Sequence, residues 1–121
     1  MPDRETLIRN ITIGDIFRAQ SPNGASLICR ARKVTKAAID AQRLFMRGET
    51  FLFDRITGMA NSDGVPCRID SVAPLPEDIR QVLLALDHRH RTSNNLDDAK
   101  LSEAEKHALL FIYDHYRENL I

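Results

Sequence analysis

From Ile13 to Leu75 the apolar residues come in short groups of β-branched and aromatic side chains, broken by turn chemistry at SPNG (21–24), RGE (47–49), TG (57–58) and NSDG (61–64). Alternating segments separated in this way predict an antiparallel meander. The expected strands lie near 14–20, 26–35, 38–46, 49–54 and 66–72, with a short extended piece at Met59 and Ala60. Five short antiparallel strands hide their edges best by closing, so the pattern predicts a small antiparallel β-barrel, SH3-like or similar. A single turn of helix is expected ahead of it, over Arg4 to Asn10.

After Pro76 the period changes. Ile79, Val82, Leu83 and Leu86 fall at i, i+3, i+4 and i+7, which predicts a helix over 76–92 with one buried stripe. Pro76 suits the first helical position, and Glu77 and Asp78 stand near the positive end of the helix dipole. RTSNNLDDAK (91–100) reads as a polar link. Ser102 and Glu105 then have capping-box spacing and open a second helix that runs close to Ile121. The expected class is therefore α+β, one domain over 1–121, with a barrel part (13–75) and a helical part (76–121). Leu27, Cys29, Ile39, Phe51, Phe53, Cys67, Ile69, Ile79, Val82, Leu83 and Leu86 are the expected core.

The second helix carries more apolar surface than one neighbour needs. Leu101, Ala104, Ala108, Leu109, Phe111, Ile112, Tyr113, Tyr116 and Leu120 cover an arc of about 200° at helical spacing. One flank is expected on the chain's own barrel or first helix and the other on a partner, most economically an identical chain, with Phe111, Ile112, Tyr113, Tyr116 and Leu120 as the interface of a homodimer.

Charge adds one feature to this picture. The segment CRARKVTK (29–36) puts Arg30, Arg32, Lys33 and Lys36 into eight residues, and Arg43 and Arg47 follow. If Leu27, Cys29 and Ala31 face inward, Arg30 and Arg32 face outward. Val34 breaks this alternation unless a one-residue bulge near Arg32 and Lys33 restores it. Asp40, and Asp70 beside Arg68, are candidate partners of opposite sign, so cross-strand pairing on a solvated face is the favoured reading. A nucleic-acid surface made of Arg30, Arg32, Lys33, Lys36, Arg43 and Arg47 is the alternative. It lacks exposed aromatics for stacking bases, and the chain has 17 Lys+Arg against 17 Asp+Glu. The zero conceals an asymmetry, eleven cations against eight anions up to Leu75 and six against nine after it.

Enzyme chemistry has thin support. His88 and His90 in DHRHR sit two apart, which on a helix points them about 200° from each other. Asp54 and Gly58 in FDRITG read as a turn, in which the carboxylate bonds nearby backbone and the glycine takes positive φ. Cys29 and Cys67 read as buried free thiols of a cytoplasmic protein, and neither secretion nor a membrane span is expected. No catalytic, cofactor-binding or metal site is assigned. Three function classes follow in order of preference: a non-enzymatic interaction protein that self-associates through its last helix, a nucleic-acid-binding barrel, and a small metal- or His/Asp-dependent enzyme.

Overall fold

The computed structural model describes residues 3–45, 49–62, 65–93 and 101–121. Its elements run α1 (Arg4–Arg9), β1 (Ile16–Gln20), β2 (Ser26–Val34), β3 (Ala38–Arg43), β4 (Thr50–Asp54), β5 (Met59–Ser62), β6 (Val65–Ser71), α2 (Glu77–Ser93) and α3 (Glu103–Glu118). The strands form one antiparallel sheet in the order β4-β3-β2-β1-β6-β5. Its two edges, β4 and β5, come into contact and nearly close the barrel. The strand count is six where the pattern predicts five. Met59–Ser62, expected only as a short extended piece, pairs along its length with Val65–Arg68.

Two apolar layers hold the chain together. The inner one fills the barrel with Phe17, Ala19, Leu27, Cys29, Ala31, Ile39, Ala41, Phe51, Phe53, Cys67 and Ile69, all on inward strand positions. Phe17 meets Phe53 edge to face at 5.5 Å between ring centroids, the geometry that ring quadrupoles favour. Ile8 and Ile11, from α1 and the residues after it, plug this core. α1 is short, so its position depends on capping and tethering. Asp3 accepts from the Thr6 amide at 2.9 Å, and Arg4 donates to the carbonyls of Ile69 and Thr57.

The outer layer lies between the barrel wall and the two long helices. Ile16 and Leu44 from the wall pack with Ile79 and Leu83 of α2 and Ala108, Ile112 and Tyr116 of α3. Every expected core residue is buried except Val82, which is half-buried at the margin of this layer. α2 is pinned to the wall by Asp87, which accepts from the Phe45 amide at 2.8 Å and from Arg91 at 2.8 Å. Phe45 has φ of +66°, a left-handed conformation uncommon for a bulky residue. α3 opens with the expected capping box, Ser102 Oγ accepting from the Glu105 amide at 3.2 Å and Glu105 accepting from the Ser102 amide at 2.8 Å. Arg89 of α2 then reaches Glu105 at 2.8 Å and ties the two helices together.

Candidate functional site

The cationic stretch follows β2 with the register its sequence demands. Leu27, Cys29 and Ala31 point inward, and the ladder to β3 slips by one residue between Ala31 and Lys33. Arg32 occupies the bulge, and Val34 turns back against the inner core opposite Ile39. Arg32 and Lys33 are both left exposed. Arg32 Nε donates to Asp40 at 3.1 Å, the pairing expected from the sequence. Arg43 Nη1 meets Glu49 at 2.8 Å. Arg30, Lys33 and Lys36 make no ion pair among the described residues, and Arg47 lies outside those residues.

Asp70 is not where the solvated-face reading puts it. It faces Arg18 of β1, which donates from Nε at 3.0 Å and from Nη2 at 2.8 Å, and both residues are buried. The hydrogen bond to Asp70 raises the pKa of Arg18. Strand alternation correctly puts both side chains on the outer side of the barrel. Asp70 is committed to Arg18 across the β1–β6 pairing, while Arg68 stays exposed.

The α3 residues divide between two surroundings. Ile112 and Tyr116 are buried against the chain's own barrel, and the Tyr116 hydroxyl donates to the Ile16 carbonyl at 3.3 Å. Neither is open to a partner, which corrects their place in the expected interface. Phe111 is half-buried and stacks on His115 at 5.3 Å. Tyr113 (63% exposed) and Leu120 (56%) face outward, as does Leu110 (72%), which the sequence reading does not single out. Leu110, Tyr113 and Arg117 lie at i, i+3 and i+7, on one stripe of the helix. The Arg117 guanidinium sits 5.5 Å from the Tyr113 ring centroid, within cation–π range. Arg117 also bonds Asp114 at 2.8 Å.

The residues considered for catalysis have structural roles or stand apart. Asp54 accepts from the amides of Ile56 and Thr57 at 2.8 and 2.9 Å, and these bonds lower its pKa. Gly58 closes that turn with φ of +71°. His88 and His90 both lie within α2, and among the described residues no three His, Cys, Asp or Glu side chains are grouped to hold a metal ion. Burial pushes the Cys29 thiol up to about 12 and raises that of Cys67 as well. A thiol held protonated in this way is a poor nucleophile.

One further arginine links several elements. Arg55, in the turn after β4, donates from Nη1 to the Thr35 carbonyl at 3.1 Å and from Nη2 to the carbonyls of Arg9 and Ile11, the latter at 3.1 Å. It thereby joins the tip of the β2–β3 hairpin to the end of α1. Sequence alone gives little sign of this, because Arg55 sits in a segment whose Asp and Gly already account for a turn.

Among the described residues no helix is long and apolar enough to cross a membrane. No protein-family model matches the chain, and no curated protein or solved structure is significantly similar to it.

Proposed function

We propose that this chain is a non-enzymatic interaction module that pairs with a second copy of itself through the outward stripe of α3. The carrying observation is the pair of apolar side chains Leu110 and Tyr113, each more than half exposed on a helix whose opposite side is already committed to the barrel, with Leu120, also more than half exposed, just beyond the helix end. A two-fold contact is the economical way to cover such a stripe, because one surface serves both partners. Tyr113 suits the margin of that contact, with a large apolar ring and a hydroxyl that can remain in water.

The internal pairing of the basic surface argues against nucleic acid as the main partner. Arg32 and Arg43 are already matched by Asp40 and Glu49, and each phosphate contact they made would compete with a carboxylate. The reactive side chains support binding over catalysis in the same sense: the thiols are buried, and Asp54 and Glu105 are engaged in a turn and a helix cap.

Light scattering on a Leu110→Glu/Tyr113→Glu variant tests the reading. It should shift a dimeric species to a folded monomer whose circular dichroism matches the wild type, since neither side chain belongs to the core. A variant with the wild-type mass at equal concentration would refute the assignment of the stripe.

A further inference from the structure

The C-terminal end of α1, the tip of the β2–β3 hairpin and the turn after β4 surround an open groove of about 700 Å³. Arg55 forms part of its lining. Its guanidinium donates to neutral carbonyls, it has no ion pair among the described residues, and its Nε is buried without a hydrogen-bond partner among them. Lys36, at the hairpin tip, is also without an ion pair among those residues. Arg9 shares its charge with Glu5 at 2.8 Å, with both side chains more than half exposed. The groove thus has three cations against one carboxylate. Beside them stand two aliphatic side chains, Val34, half-buried, and Ile56, 65% exposed.

A free positive charge next to an exposed aliphatic surface asks for a ligand that supplies both an anion and an apolar group. We infer that this groove binds an acidic peptide segment of a partner protein, with an aliphatic side chain laid on Val34 and Ile56 and flanking carboxylates on Lys36 and Arg55. Charge-assisted hydrogen bonds to carboxylate give such a site its orientation, and the aliphatic contact gives it burial. The volume lies within the range of ordinary ligand sites. A single-stranded nucleic acid fits less well, because among the described residues no aromatic side chain lines the groove to stack a base. This inference is independent of the α3 contact, which involves none of these residues.

The test is selection from a random dodecapeptide display library on the wild-type protein, followed by anisotropy with one synthetic peptide of the enriched sequence. The expected result is enrichment of peptides with Asp or Glu next to Leu, Ile or Val, binding that weakens as salt rises, and at least a tenfold loss of affinity in Lys36→Glu/Ile56→Ser. Both side chains are exposed, so that variant should keep its fold, and Lys36→Gln provides a milder check with a smaller loss. The Leu110→Glu/Tyr113→Glu variant should bind the peptide normally, which separates this site from the α3 contact. No enrichment, equal affinity for wild type and Lys36→Glu/Ile56→Ser, or displacement of the peptide by a twelve-nucleotide oligothymidylate would each overturn the inference.

Discussion

Asp70→Asn removes a charge from the buried pair with Arg18 while nearly preserving the shape of the side chain. The Arg18 guanidinium is held by two short bonds, and the two side chains are only 11% and 9% exposed. The chain terminus crosses nearby: the Ile121 amide donates to the Asp70 carbonyl at 2.9 Å, and Ser71 Oγ donates to the Asn119 carbonyl at 2.8 Å. With so little of either side chain exposed, water compensates the lost carboxylate only in part. Removing one partner of a buried pair costs about 3–5 kcal/mol, because the other charge is left without compensation. The asparagine oxygen can still accept one bond from Arg18, which places the expectation near the lower figure. With a urea dependence of about 1–3 kcal/mol per molar, the unfolding midpoint should fall by roughly 1 M or more. Arg18→Met/Asp70→Leu should recover to within about 1–2 kcal/mol of wild type, since an apolar pair of similar volume leaves no orphaned charge. A loss below about 1 kcal/mol for Asp70→Asn would mean that the pair behaves as an exposed one. It would refute the claim that the Arg18–Asp70 pair is shielded from solvent.

Three other outcomes follow from local geometry. Gly58→Ala should destabilise by at least about 1–2 kcal/mol, the cost of a left-handed alanine, because its Cβ would also stand 2.5 Å from Ile8 Cδ1; an unchanged denaturation midpoint would contradict the plugged barrel end. Burial raises the Cys29 pKa from 9.0 to about 12, so its contribution to stability is complete below the lower value and is lost as pH climbs through this window. Thiolate absorbance emerging near pH 9.0 in the folded protein would contradict that burial. The Ser102 amide, and then Arg89, lower the pKa of Glu105 below 4.5, so its contribution is present above that value and is lost as pH falls through the folded pKa; Glu105→Gln should flatten the acid limb of a stability–pH curve, and an unaltered limb would refute the capping role.

Local periodicity identified which side each residue occupies, but could not say what covers that side. The bulge at Arg32 was legible because Val34 had to return to the core, and the structure shifts register at that point. The capping box at Ser102 was legible because its two bonds lie within four residues. Alternation puts Asp70 outward for the same reason as Arg30, yet Asp70 is buried, with Arg18 as a partner that the sequence reading does not single out. The difference arises far along the chain, where Ile121 and Asn119 bond the backbone of Asp70 and the hydroxyl of Ser71, and strand alternation carries no information about it. The sixth strand was obscured because Asn61 and Ser62 resemble turn residues, although they pair with Pro66 and Val65. A helical wheel assigns Ile112 and Tyr116 to the interface because it gives the width of an apolar arc without saying how much of it the chain's own barrel takes up. Leu110 and Tyr113, on the side with Arg117, are what that barrel leaves uncovered.

Sedimentation equilibrium of the unmodified protein over a wide concentration range tests the proposed self-association most directly. The account predicts a mass that rises to twice the 13.7 kDa of one chain, with the dimer lost in Leu110→Glu/Tyr113→Glu. A mass that stays at 13.7 kDa up to the highest concentration would contradict it.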